Sequence, residues 1–333
     1  VYNNRDYEPY GIDRDKSIEK LLKYHNINFK TFKDQVIFEK NEVLKDNGSP
    51  YVVFTPYMRK WKENLKKNYS VLENNELCNN FHNLDKYNLK EISEYGFEKN
   101  ISEVINFDVS KKIIEEYEKK RNFPSLNSTS KIGPFLRFGV ISIRSLVKYV
   151  LKFSNETFLN ELIWREFFMQ ILFHFPNSST SSFKSKYDNI KWVNDKKMFE
   201  AWKNGKTGYP IVDAGMNELN KTGFMHNRVR MITSSFLCKQ LLIDWRWGEK
   251  YFALKLNDYE MSSNVGNWQW ASGSGVDAAP YFRIFNPYTQ IEKFDKNYDY
   301  INNWIDLNNK YPKEIVNHKE ARENCLKTYK MYV

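Results

Sequence analysis

The stretch Thr157–Phe175 limits the fold more than any other part of the chain. Read as a helix it is apolar nearly all round, with Phe158, Leu159, Leu162, Ile163, Trp164, Phe167, Phe168, Ile171 and Leu172 leaving no polar face. Such a helix has to be covered on every side, which places it in the middle of a domain. It nonetheless carries Glu161, Arg165 and Glu166, and a buried charge is costly unless paired or hydrogen-bonded. Glu161, Trp164, Arg165 and Phe168 fall at i, i+3, i+4 and i+7, a stripe holding a carboxylate, an indole and a guanidinium. Two readings fit that stripe. One is a core helix with a neutralised ion pair. The other is a pocket wall that stacks a flat ligand on Trp164 and hydrogen-bonds it through Glu161.

Around this helix the pattern from Val109 onward is almost wholly helical, with Ser142–Phe153, Met198–Asn204, Ile211–Thr222, Met225–Asp244 and Trp247–Leu256 as further helices. Residues 1–65 are mixed: a helix over Ser17–Asn26, a short strand over Asp34–Phe38, an extended run at Tyr51–Phe54, and Pro56 opening a helix through Trp61 and Leu65. The 66–107 stretch is polar and asparagine-rich and reads as a connector. The expectation is a mainly α fold: a remnant of an α/β domain over 1–65, a connector over 66–107 and a helical domain over 108–333. The chain opens at Val1 as if already inside a strand, so it is expected to be a fragment or processed form. No apolar run reaches the ~18 residues of a membrane helix.

The net charge of +10 favours an anionic partner, but a positive field attracts DNA, RNA and acidic membranes alike. The 17% aromatic content, with nine tryptophans, fits a protein that reads stacked bases or holds a flat cofactor. Cys78, Cys238 and Cys325 lie too far apart in sequence for a disulfide framework, a structural zinc site or an iron–sulfur site, which leaves a reducing compartment and no metal. Two segments hold chemistry. Met225–Met231 begins a helix with Asn227, Arg228 and Arg230, although cations at a helix start oppose its dipole. Asp258–Trp270 crowds two carboxylates, two asparagines and two indoles together, and buried polar groups of that kind need partners.

At these residues the chain resembles the photolyase and cryptochrome family. The matching segments are STSKIGPFLRFGV (128–140), LNELIWREF (159–167), GKTGYPIVDAGMNELNKTGFMHNRVRMI (205–232), LLIDWRWGEKYF (241–252), NWQWASGSGVDAAPYFRIFNP (267–287) and HKEAR (318–322). Within the family the resemblance is closest to the class I cyclobutane pyrimidine dimer photolyases. It implies a helical FAD-binding domain preceded by the last part of a Rossmann-like antenna domain, whose pigment, of folate or deazaflavin type, stays unassigned. The implied cofactor contacts are Tyr117, Thr129, Ser130, Lys131, Ile132, Gly133 and Phe158 toward phosphates, ribose and ring, with Asn227, Arg230, Asp258, Tyr259, Glu260 and Asn264 around the isoalloxazine. Gly133 stands where relatives often have Ser, Phe158 where they often have Trp, and Glu260 where Asp is usual.

The implied reaction is light-driven repair of cyclobutane dimers in UV-damaged DNA by electron transfer from excited reduced FAD, a carbon–carbon lyase activity. Trp164 and Trp270 would pack on the flipped dimer while Glu161, Asn227 and Met231 touch its edges. Arg121, Arg165, Phe168, Arg228, Arg283, Gln290 and Lys293 would join Glu161, Trp164 and Asn227 in holding DNA. Trp268, Trp245 and Trp192 match the family's tryptophan electron chain, although three packed indoles are the plain alternative. A cytoplasmic, DNA-associated monomer without membrane contact is expected. The competing readings are a cryptochrome that signals without repair, a (6–4) photolyase, and a light-independent nucleic-acid binder. Asn264 argues against the first and Asn227-Arg228 against the second.

Overall fold

The computed structural model describes residues 1–72, 89–98, 105–308 and 311–333. Much of the expected connector, with Cys78, lies outside the described residues. Strands β1 (Tyr2–Asn4) and β2 (Lys30–Phe32) pair in parallel with Tyr2 opposite Lys30, joined by helix α1 (Pro9–Tyr24) in one βαβ unit. Helix α2 (Phe54–Lys67) follows and turns Phe54, Tyr57, Trp61 and Leu65 inward. The helical domain contains α3 (Lys111–Lys120), α4 (Gly133–Arg137), α5 (Ile143–Val150), α6 (Glu156–His174), α7 (Lys196–Lys203) and α8 (Pro210–Thr222). It continues through α9 (Asn227–Ser235), α10 (Trp245–Lys255), α11 (Met261–Ser272), α12 (Pro287–Phe294), α13 (Asp299–Trp304) and α14 (His318–Tyr332). Among the described residues no helix is long and apolar enough to cross a membrane.

The all-round apolar stretch is α6, and it does sit in the middle. One apolar cluster wraps it with α2, α3 and α5, while a second gathers α8 to α11. The two meet where α6 crosses α11: a methyl group on Gly266 would come 2.3 Å from the Phe168 ring. Only glycine permits that approach.

Two boundaries differ from expectation. Helix α1 starts at Pro9, since Pro suits a first turn whose N–H is unpaired anyway, and not at Ser17. The expected helix Met225–Asp244 is interrupted after α9 by a π-helical turn, Phe236–Gln240, which buries Lys239 with its ammonium donating to the carbonyls of Ser272 (2.9 Å) and Tyr281 (3.3 Å).

The strand expected at Asp34–Phe38 and the extended run at Tyr51–Phe54 join no ladder. Backbone polar groups must go somewhere, and those near Asp34–Phe38 go to side chains of the helical domain. Glu166 accepts from Ile37 N (2.7 Å), Phe38 N (3.0 Å) and the Trp61 indole N–H (2.6 Å). Arg165 donates to the Gln35 carbonyl at 2.6 Å, Gln170 to that of Lys40 at 2.7 Å, and Arg144 to that of Asp34 at 2.9 Å. Glu166 and Arg165 of α6 are thus met mostly by backbone groups of the N-terminal unit. Arg165, expected at DNA, is committed to this joint, and Phe168 is buried against Gly266.

Burial pushes the Glu166 carboxyl up from 4.5 to about 7, against the N–H groups that pull it down. A carboxyl so raised binds its proton more readily folded than unfolded, so its contribution to stability falls as pH rises through that window. Glu166→Gln should remove this part of the pH dependence. Glu166→Ala, which strands the N–H donors, should cost about 3 kcal/mol. Urea unfolding on either side of the window reads both.

Candidate active site

A cleft with about 610 Å³ of empty space, partly open to solvent, lies between α9, the end of α10 and the start of α11. Asn227, Arg230 and Met231 line one side, and Asp258, Tyr259, Glu260, Asn264, Trp268 and Trp270 the other. In sequence the two groups lie well apart, Arg230 and Asp258 by 28 residues; the packing of α9 on α11 brings them together. Arg230 pairs with Asp258 at 2.9 Å and donates to the Met225 carbonyl at 2.7 Å. The other oxygen of Asp258, Oδ1, is buried without a partner and so offers an acceptor to a ligand.

Local capping sets the rest of the geometry. His226 caps α9, its Nδ1 accepting from Arg228 N at 3.1 Å, which leaves the ring proton on Nε2. Burial, then the Arg230, Arg228 and Lys131 cations, push this imidazole down to about 4, so it stays neutral. Glu260 caps α11 through Ser262 N and Ser263 N, both at 2.9 Å, and also takes the hydroxyls of both serines. Asn264 donates its amide to Glu249 Oε1 at 2.9 Å, leaving its own Oδ1 for a ligand. Burial raises the Glu249 carboxyl and the Asn264 hydrogen bond opposes that rise. Glu249 was missed from sequence because nothing in its helix marks it apart from a surface glutamate.

The segment 129–133 reaches the cleft from the opposite side at one point. Gly133 lies so close to Asp258 that a methyl group there would come 2.8 Å from its Cβ and 3.0 Å from Oδ2. Lys131 and Arg230 flank the Phe224 ring at 5.9 and 5.8 Å. Ser130 uses its carbonyl to hold Asp108 N at 2.9 Å. Ile132 and Phe158 are core residues packed around α6, and Phe158 meets Tyr117 edge-on at 5.1 Å. Of this expected group, Tyr117, Thr129, Ser130, Lys131, Ile132, Gly133 and Phe158, none lines the cleft itself.

On the outer side Arg121 pairs with Glu161. Trp164 stacks on Phe54 at 3.7 Å with the rings 6° from parallel, so one indole face is covered by the N-terminal unit. From sequence Phe54 reads only as the end of the extended run Tyr51–Phe54. Arg228 rests on the Phe294 ring at 4.3 Å and donates to Asn122 at 2.6 Å. Burial, followed by the nearby Arg121 and Arg283 cations, lowers its guanidinium, so these three arginines form one cluster. Arg283 and Lys293 are exposed, and Gln290 holds a buried Oε1 without a partner. Trp268 is buried against Phe252 (5.0 Å) and Trp202 (6.1 Å), Trp245 is buried beneath Arg246 at 4.9 Å, and half-buried Trp192 lies edge-on to Tyr329 at 6.1 Å. Trp202, which sequence reasoning left to packing, is thus the indole in direct ring contact with Trp268.

A family model for the FAD binding domain of DNA photolyase matches residues 158–308, and one for DNA photolyase matches residues 1–75. The deoxyribodipyrimidine photo-lyase of Alkalihalophilus pseudofirmus is 38% identical over 99% of this chain and 78% of its own length. That of Escherichia coli is 35% identical with the same coverage, 99% and 78%. A crystal structure of a class III photolyase from Agrobacterium tumefaciens superposes with a TM-score of 0.85 at 33% identity, covering all of this chain and 79% of the other. A cryptochrome from Synechocystis shares the fold, with a TM-score of 0.78 at 24% identity. Helical architecture and cleft together define a flavin-binding protein of the photolyase and cryptochrome fold. The chain belongs to the DNA photolyase family.

The cleft suits FAD on its own chemistry. Indole and phenyl faces fit a flat ring, an arginine and amides fit its polar edges, and the unpartnered Asp258 Oδ1 fits a ring N–H. Gly133→Ala should displace Asp258 from Arg230 and weaken FAD binding by roughly tenfold or more. Titration of the deflavinated chain with FAD, followed by flavin fluorescence, checks this.

Proposed function

We propose that this chain is a deoxyribodipyrimidine photo-lyase that repairs cyclobutane pyrimidine dimers in DNA under light, acting as a cytoplasmic monomer with residues 108–333 as the repair domain. The observation that carries the reading is one cleft in which Asn227, Met231 and Trp270 stand beside Asp258, Asn264 and Trp268, with Arg228 next to Asn227 in the first turn of α9. Asn227, Arg230, Asp258 and Asn264 would hold FAD, which in reduced form would supply light-driven one-electron chemistry for opening the cyclobutane ring.

The chain's own residues do the rest. Arg121, Arg228 and Arg283, with Lys293 and Gln290, hold the phosphates flanking a dimer, which is cheaper to flip out than an intact base pair. Trp270 packs on the flipped bases, and Trp164, stacked on Phe54, serves as the second wall. A carboxylate paired with Arg121 is an acceptor, so Glu161 takes a hydrogen bond from a base N–H. The Asn227 amide donates to the base carbonyls on which negative charge grows, a preorganised electrostatic contribution. Trp268, Trp245 and Trp192 carry an electron inward to restore the reduced cofactor, apart from the repair step.

Illumination of the FAD-loaded chain with dimer-containing DNA should remove dimers in light and not in darkness, and should leave (6–4) lesions intact. Persistence of the dimers in light would overturn the assignment. Glu161→Ala should lower repair per absorbed photon by about tenfold while FAD remains bound, as measured by actinometry and cofactor content. Trp268→Phe should slow photoreduction of the oxidised cofactor yet spare repair by chemically pre-reduced protein. Equal loss of both would remove Trp268 from the electron route.

A further inference from the structure

The first turn of a helix presents N–H groups with no partner inside the helix. In α11 those of the first three residues, Met261, Ser262 and Ser263, are accounted for by side chains. Ser262 N and Ser263 N go to Glu260, each at 2.9 Å, and Asn264 N goes to the Glu260 carbonyl at 2.9 Å. The Glu260 carboxylate is filled by these amides and two serine hydroxyls, so it has no capacity left for Met261. Met261 N donates instead to Glu8 Oε1 at 3.3 Å, a contact across 253 residues of chain. The same Glu8 oxygen forms an ion pair with Arg137, 3.1 Å from its Nη2.

Glu8 is free for this because it does no local work. It stands at the N-cap of α1 without capping it, while Asp6 takes the amides of Tyr7 (2.7 Å) and Glu8 (3.0 Å). Its side chain is only 14% exposed, so the pair with Arg137 is shielded from water. Arg137 ends α4, whose first residue, Gly133, abuts Asp258, and α11 bears Asn264, Trp268 and Trp270. Glu8 therefore joins the first turn of α11, which lines the cleft, to the end of α4, the helix that begins beside Asp258.

We infer that Glu8, contributed by the N-terminal unit, is a positioning residue for the FAD cleft, tying the first turn of α11 to the end of α4. The inference rests on the reading of the cleft as the FAD site. It gives the N-terminal unit a part in cofactor binding distinct from any light-gathering role. Two carboxylates at one helix start are compatible because the positive end of the α11 dipole and Arg137 offset their charge.

The test compares the full chain with Glu8→Ala, Glu8→Gln, Arg137→Met and the double variant Glu8→Ala/Arg137→Met. FAD affinity is measured by titrating deflavinated protein, and the seating of the ring by the induced circular dichroism of its visible bands. Glu8→Ala should weaken FAD by roughly tenfold and diminish the induced signal, the scale of one lost charge-assisted hydrogen bond. Glu8→Gln keeps an oxygen for Met261 N and should fall between it and the wild type. Arg137→Met should resemble Glu8→Ala, and the double variant should be no worse than the weaker single one. Wild-type affinity and dichroism in Glu8→Ala would overturn the inference, as would additive losses in the double variant. Failure of the unmodified chain to bind FAD would instead refute the underlying reading of the cleft, and the inference with it.

Discussion

Glu166 lies where water does not reach it, and the cost of its charge there is offset by N–H groups of a different part of the chain. An isolated buried carboxylate costs several kcal/mol, and each charge-assisted hydrogen bond returns about two of them. Ile37, Phe38 and Trp61 together offset much of that cost, and burial still holds the carboxyl up at about 7. The N-terminal unit is therefore not an appendage. Without it α6 would expose Glu166, Arg165 and Gln170 on a helix that has no polar face to present. Fixing α6 in turn fixes α11 through the Phe168–Gly266 crossing, and α11 carries much of the cleft.

Within the cleft, polar groups divide into satisfied and unsatisfied ones, and the division says what each can do. Glu260 spends its carboxylate on the start of α11, so its extra methylene relative to the usual Asp serves a cap. Asp258 spends only one oxygen, on Arg230, and holds the other in reserve. Asn264 spends its amide hydrogens on Glu249 and keeps its carbonyl. A ligand that fills such a site needs donors for Asp258 and Asn264 and an apolar face for Trp268 and Trp270. The edges of a flavin ring meet that description, and water alone would leave the indoles without a partner.

How much of this was legible in the sequence depended on the range of the interaction. The central helix, α8 and α10 followed from periodicity, a local property, to within about two residues. Asp34–Phe38 has the composition of a strand, but its backbone partners are side chains more than a hundred residues away, which no local pattern encodes. The same blindness misplaced Arg165: one stripe on α6 suggested one partner, whereas Glu161 and Arg165, adjacent on that stripe, point to Arg121 and to Gln35 respectively. Phe54 behind Trp164 and Glu249 behind Asn264 were missed because each acts through a second residue. The lining residues of α9 and α11 were found because their polarity is out of keeping with burial, and that is visible in one dimension.

The arginines around the opening make the same point about polarity. Arg228 lies in the first turn of α9, where the dipole opposes it, and close enough to Arg121 and Arg283 to be depressed by both. Among the described residues no carboxylate pairs with Arg228 or Arg283; Arg228 has an amide oxygen and the Phe294 ring instead. Folding gains little from such an arrangement, since Arg228 is kept near other cations and partly out of water. An anion entering between them relieves both costs together. The +10 net charge belongs to the whole chain and attracts any polyanion over distance, but the local excess at Arg121, Arg228 and Arg283 gives that attraction a direction.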